Sequence, residues 1–269
     1  MHPAIRPTLP SLVAGLCLTC SWPAHSADSI ATDRPDFVES SDVVGKGRFQ
    51  IETGVSSESD KVSNVKTRTL TTPTLLRIGV SEAIEVRIET DGYVRARQKD
   101  LSSGVTQTSR GFSDVSLGAK WHMQDGDETT GKPGVAWLLH VDVDSGSSDF
   151  RGQGLRPSLR GVAEWDLPLE ASVGVMGGVL LDRNSNGRRY GAGILAVTLG
   201  KSWTPEWRTF VEIAGQHIAS RANGGSVVTL DTGVTYLVND SFQLDFSVSK
   251  GLNSTTPDLQ WGVGASMRF

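Results

Sequence analysis

From Gly47 to Phe269 apolar and polar residues alternate in short runs. In the closing segment Leu259, Trp261, Val263, Ala265, Met267 and Phe269 occupy one phase, and Gln260, Gly262, Gly264, Ser266 and Arg268 the other. Successive strand side chains point to opposite faces, so this segment has one apolar and one polar face. Phe49, Ile51 and Val55 alternate in the same way with Gln50, Glu52 and Ser56. Twelve such runs are predicted, at 47–56, 67–80, 84–94, 111–123, 135–144, 157–167, 169–182, 189–203, 207–216, 227–238, 242–251 and 258–269. A strand of about ten residues with one apolar and one wet face suits a wall between lipid and water. The pattern therefore predicts an all-β chain, folded as a transmembrane antiparallel up-and-down β-barrel of twelve strands.

A soluble sandwich would show the same alternation, and the links between strands argue against it. Ser81-Glu82-Ala83, Pro168, Thr204-Pro205-Glu206 and Asn239-Asp240-Ser241 are short, whereas 57–66, 95–110, 145–156, 183–188, 217–226 and 252–257 are longer. Short and long links alternate, apart from 124–134, as tight periplasmic turns and longer outer loops do in outer-membrane barrels. An even strand number leaves both chain ends on the periplasmic side. Trp121, Trp137, Trp165, Trp203 and Trp207 all lie within a few residues of the periplasmic turns, joined by Tyr236, Phe242 and Phe269. Such rings favour a membrane interface, where an apolar body and a polar N–H or O–H are both accommodated.

The N-terminus has the organisation of a secretory leader. Arg6 precedes a short apolar stretch from Leu9 to Cys20, and Ala24-His25-Ser26-Ala27 offers a small-residue cleavage site. Residues 1–26 are expected to form the signal peptide, cut after Ser26 or Ala27, and 27–46 a periplasmic segment preceding the barrel at 47–269. Both cysteines, Cys17 and Cys20, fall within the leader, so a thiolate metal site is not expected. The chain carries 26 bases and 30 acids, a mildly acidic balance that gives no footprint for nucleic acid.

Several stretches resemble the bacterial outer-membrane transporters of the meta-pathway of phenol degradation (MetA-type). The likeness lies in Thr32-Asp33-Arg34-Pro35-Asp36-Phe37, in Gly47-Arg48-Phe49-Gln50-Ile51-Glu52-Thr53-Gly54, in Gly161-Val162-Ala163-Glu164-Trp165, and in Leu244 to Asn253. It implies an outer-membrane transporter associated with aromatic catabolism.

The inward phase gathers the candidate chemistry. Glu52, Glu85, Glu89, Asp142, Glu164, Glu212, Asp231 and Asp245 are expected to face the lumen, with Arg77, Arg87, Lys120, His140, Arg160, Arg208 and Arg268. Arg95 is placed with them. Charges inside a wall need water or partners, so they flank a wet channel or pair across a filled interior. Over the whole inward phase acids outnumber bases, and in a channel that excess predicts a weak preference for cations and neutral solutes. Leu75, Leu138, Val162, Met176, Leu180 and Phe210 break the polar rule and form either an apolar track for a hydrophobic solute or plain interior filling. Asp33, Arg34 and Asp36, beside Pro35, make 27–46 a candidate plug or a flexible tether. In the eighth run Leu195, Val197, Leu199 and Trp203 face lipid only if Lys201 does too; either Lys201 snorkels at the interface or a bulge resets the phase.

Enzyme readings find little support. His140 has Asp142 two residues on and no serine, and there is no G-x-S-x-G, metal-binding His pair or phosphate loop. No cofactor or metal is expected. The expected partners are outer-membrane lipids, a small-molecule solute, and the barrel-assembly machinery through the C-terminal strand ending at Phe269. The function predicted is passive diffusion of small solutes, aromatic or hydrophobic ones among them. The rival is a non-conducting barrel with a salt-bridged interior.

Overall fold

The computed structural model describes residues 29–269 apart from residue 185; the expected leader and cleavage site, and both cysteines, lie outside the described residues. Twelve antiparallel strands form one wall. They are β1 (Phe49–Val62), β2 (Val65–Thr71 continued by Thr74–Gly79), β3 (Ile84–Thr90 and Tyr93–Asp100), β4 (Thr106–Phe112 and Val115–Gln124), β5 (Gly134–Val143) and β6 (Arg156–Leu167). After these come β7 (Ala171–Arg183), β8 (Arg189–Ser202), β9 (Trp207–Ile218), β10 (Val227–Asn239), β11 (Phe242–Gly251) and β12 (Leu259–Arg268). β1 pairs with β12 from Gln50↔Arg268 to Ser59↔Leu259, which closes the barrel. The Phe49 and Phe269 backbones exchange hydrogen bonds at 3.2 and 2.8 Å, and their rings stack with centroids 4.5 Å apart. A closed barrel leaves no unpaired edge within lipid, where an unsatisfied backbone group would be costly.

The alternation reads directly as inside and outside. Ile51, Val55, Val86, Ile88, Leu117, Leu139, Leu195, Val197, Phe246 and Val263 are all exposed on the outer face. Glu52, Arg77, Glu85, Arg87, Lys120 and Glu212, in the opposite phase, are almost wholly buried inside. Lys201 keeps the outward phase of β8, with its ammonium on the Leu169 carbonyl and 5.9 Å from the Trp203 ring. The bulge between β8 and β9 lies at the other end, between Gly193 and Leu195.

Two expected outer loops are strand instead. β1 runs on to Val62 and turns through Ser63 and Asn64 into β2, while β3 reaches Asp100 and β4 starts at Thr106. Most of 57–66 and 95–110 therefore forms a four-stranded extension of the wall above the outer rim. Seven residues of β1, Ser56 to Val62, correspond to roughly 20 Å of rise. Beneath it, β2, β3 and β4 are interrupted at the same height, at 72–73, 91–92 and 113–114. Pro73 has no N–H to donate to a ladder. The Thr72 N–H donates to the Asp91 carbonyl at 3.0 Å, and the Ser113 N–H to that of Gly92 at 2.9 Å, so the interruption is stitched across all three strands. Gly92 adopts φ +65°, and a Cβ there would lie 2.4 Å from the Thr72 carbonyl oxygen, so only glycine fits.

The interruption also resets the side-chain phase of β3. Glu89 points inward, but Arg95 pairs with Leu70, which shares the outward phase of Ser57. The expectation that Arg95 faces the lumen is thereby corrected: it lies on the outside of the extension.

Candidate functional site

Residues 29–46 run through the lumen without forming helix or strand. Such backbone carries unpaired N–H and C=O groups, and away from water each needs a partner. The inward phase of the wall supplies them. Glu52 accepts the N–H groups of Asp33 and Arg34 at 3.0 and 3.1 Å. Glu212 takes those of Phe37 and Val38, both at 2.8 Å, and Glu85 takes that of Val44 at 3.0 Å. Glu164 accepts from Ser41. In the reverse sense Arg77 donates to the carbonyls of Ala31 and Asp42, and Lys120 to that of Ser40. The lumen charges thus bind a backbone, which sequence patterning gives no means of anticipating.

Ion pairs fix the register of the segment. The Asp33 carboxylate lies 2.7 Å from Arg87, 2.9 Å from Lys120 and 3.6 Å from Arg77. Arg77 also meets Glu52 at 3.1 Å and Glu85 at 2.9 Å. Arg34 pairs with Asp245 at 2.9 Å, and Asp36 with Arg208 at 3.4 Å. Glu39 joins Arg87 at 2.8 Å and Arg160 at 2.6 Å. Glu39 was not among the candidate residues, since a segment without periodicity gives no inward or outward phase to read. Burial alone would raise the Asp33 carboxyl, but Arg77, Lys120 and Arg87 outweigh it and hold it well below the ordinary range. Burial likewise opposes ionisation of Glu39, and Arg87 and Arg160 bring its carboxyl down to about 2.

One apolar contact anchors the middle of the segment. Val38 is buried with Ala136, Leu138, Val162, Met176, Ile194, Ala196 and Ala214, and Phe37 and Leu180 pack against the group. Four of the six residues read as an apolar track therefore contribute to a seat for Val38. Leu75 and Phe210 are buried elsewhere on the wall. His140 is buried, and neither ring nitrogen has a hydrogen-bond partner among the described residues.

The remaining candidates lie apart from this centre. Glu89 and Asp231 line an outer cavity of about 320 Å³ between the segment and the outer end of the barrel. Asp142 meets Arg156 at 3.5 Å beside a second outer cavity of about 240 Å³. Arg156 itself, 2.7 Å from Asp114, was not among the candidates. Arg268 lies at the periplasmic rim and donates to the Asp240 carbonyl at 3.1 Å. A cavity of about 300 Å³ opens on the periplasmic side of the segment, lined by Thr32, Ser41, Glu164 and Gln243 among others. Arg34 and Asp36 line this cavity and the 320 Å³ outer one, so the segment stands between two vestibules.

A closed twelve-stranded wall, apolar outside and threaded by a polar segment within, defines an outer-membrane β-barrel with an occupied lumen. The chain belongs to the family described as "Putative MetA-pathway of phenol degradation", whose model matches residues 32–269. Its fold is similar to that of the COG4313 outer membrane channel from Pseudomonas putida F1, with a TM-score of 0.58 and 11% identity over 87% of this chain and 99% of the other. It is also similar to the beta domain of the Bordetella autotransporter BrkA, with a TM-score of 0.52 and 16% identity over 82% of this chain and 98% of the other. No curated protein sequence matches the chain.

Proposed function

We propose that the protein is an outer-membrane channel for passive diffusion of small solutes, gated by displacement of residues 29–46. The observation that carries this reading is the pair of vestibules on opposite sides of one segment, with Arg34 and Asp36 lining both. The segment is held mainly by hydrogen bonds and ion pairs to the wall, and water can replace those where it cannot replace a packed apolar core. Vestibules of about 320 and 300 Å³ suit a solute of modest size. The family description and the likeness to a channel support neutral aromatic or hydrophobic compounds as the solute class. The outer vestibule is lined by eight acids and three bases, which favours cations and neutral solutes over anions. Nothing in this reading requires catalysis.

The test is flux into proteoliposomes containing the refolded mature chain. Entry of a small neutral aromatic above that in protein-free liposomes, faster than entry of a matched aromatic anion, is expected. Equal entry with and without folded protein would refute the channel. The buried network around Asp33 favours a second reading, a non-conducting barrel whose interior serves stability alone. Absence of flux from both the intact chain and one lacking residues 27–46 would establish that reading.

A further inference from the structure

The four-stranded extension is strongly asymmetric in charge. On its outward face Lys61 stands opposite Lys66, Lys66 opposite Lys99, Arg68 opposite Arg97, and Arg95 opposite Arg110. The same face carries no acid. Glu58, Asp60 and Asp100 occupy the inward phase. Like charges directly opposed across strands destabilise a sheet unless something neutralises them. All seven bases are exposed, and none forms an ion pair or side-chain hydrogen bond among the described residues. No side chain among the described residues provides the missing negative charge.

The position of the face indicates what does. It continues the lipid-facing surface of the wall upward: Ser57 and Ser59 of β1 pair with Trp261 and Leu259 of β12. Tyr93 and Phe112, with ring centroids 5.9 Å apart, lie at its lower margin. Lys250 of β11, paired with Leu259, adds an exposed base at the same height. Two surface grooves lie on this face. One, of about 400 Å³, is bordered by Lys66, Arg68, Leu259 and Trp261, and the other, of about 230 Å³, by Arg68, Leu70, Arg95 and Arg97. In both grooves the bases adjoin apolar side chains, Arg68 standing level with Leu259 and one outward pair above Trp261 and Leu70, and Arg97 above Leu70, which matches an amphiphile with acyl chains below and anionic groups above.

We infer that this face binds the phosphorylated headgroup of an outer-leaflet glycolipid, lipopolysaccharide. Arg68, Arg95, Arg97 and Arg110 sit nearest the apolar band and contact the phosphates. Guanidinium groups suit phosphate because their donors form a planar fork. Lys61, Lys66 and Lys99 stand higher and face the anionic sugars. The bound lipid neutralises the opposed bases and holds the extension upright against the membrane surface.

Binding of purified lipopolysaccharide to the refolded mature chain in neutral detergent tests this, with the same lipid after chemical dephosphorylation as the paired ligand. A Lys or Arg beside an anionic membrane surface contributes on the order of fivefold in affinity. The triple variant Arg68→Gln/Arg95→Gln/Arg97→Gln should therefore bind roughly 100-fold more weakly, while remaining folded by its heat-modifiable gel mobility. The wild type should prefer the phosphorylated lipid by at least tenfold. Equal binding of the two lipids by the wild type overturns the assignment even if the variant fails to fold. Wild-type affinity in the folded triple variant overturns it as well. Equal binding to phosphatidylglycerol vesicles would replace it with a general attraction to anionic surfaces.

Discussion

Asp33→Asn removes one charge and almost no volume from the centre of the lumen. The Asp33 side chain is only 4% exposed, and its carboxylate lies 2.7 Å from Arg87 and 2.9 Å from Lys120. The isosteric amide accepts one hydrogen bond but cannot neutralise these cations. Breaking a buried ion pair by neutralising one partner costs about 3–5 kcal/mol. Glu52, Glu85 and Glu39 still compensate Arg77 and Arg87, so the lower end, about 3 kcal/mol, is the appropriate magnitude. That corresponds to a shift of roughly 100-fold toward the displaced state of the segment. Because Asp33 belongs to the segment and not to a strand, the wall should remain folded. Two assays read the shift: single-channel open probability, and the rate at which protease cuts within 29–46 in the folded barrel. Both should rise in Asp33→Asn and stay at the wild-type level in Asp42→Asn, whose exposed carboxylate accepts no hydrogen bond among the described residues. Identical open probability and protease resistance in Asp33→Asn would refute the view that this charge holds the segment in place.

Other expectations follow from separate contacts. A Cβ at Gly79 would lie 1.7 Å from the Gly45 carbonyl oxygen, so Gly79→Ala should force apart the wall and the end of the segment and cost about 1–3 kcal/mol, read as a lower denaturation midpoint in urea. Asp33 and Glu39 are both held below ordinary carboxylate values, Glu39 at about 2. Their stabilisation is present above the unfolded carboxylate pKa and is lost as pH falls through the folded values. Protease protection of the segment should therefore persist at pH 4 and fail near pH 2. Asp36, which burial raises despite Arg208, acts in the opposite sense and blunts the change. Phe269→Ala removes the stacked ring on Phe49, whose centroid is 4.5 Å away, a contact worth about 0.5–1.5 kcal/mol beyond its area. Less folded barrel should then appear in the outer membrane by heat-modifiable mobility, and an unchanged yield would argue against this ring as a contact for the assembly machinery.

The wall was legible because lipid imposes a rule. Residues that meet hydrocarbon are predominantly apolar, and the period of two carries that preference into the sequence from Phe49 to Val55 and from Leu259 to Phe269. The rule stops at the membrane surface. Above it both phases are polar, as in Ser59-Asp60-Lys61 and Lys66-Thr67-Arg68, and strands there read as loops. The same loss of contrast hid the phase reset at Asp91-Gly92 that turns Arg95 outward. Inward-facing charges such as Glu52, Arg77 and Glu212 were legible as inward, but their role in capping the backbone of 33–44 was not. That role depends on where an aperiodic segment runs, and only long-range contacts such as Arg34 to Asp245 or Glu39 to Arg160 determine its path.

On the reading proposed above, residues 29–46 occlude a channel that is otherwise open. The decisive comparison is single-channel conductance in a planar bilayer of residues 27–269 against residues 47–269, both shown to be folded barrels. Small or infrequent steps are expected with the segment in place, and larger, long-lived steps once it is removed. Equal conductance from the two forms would contradict it.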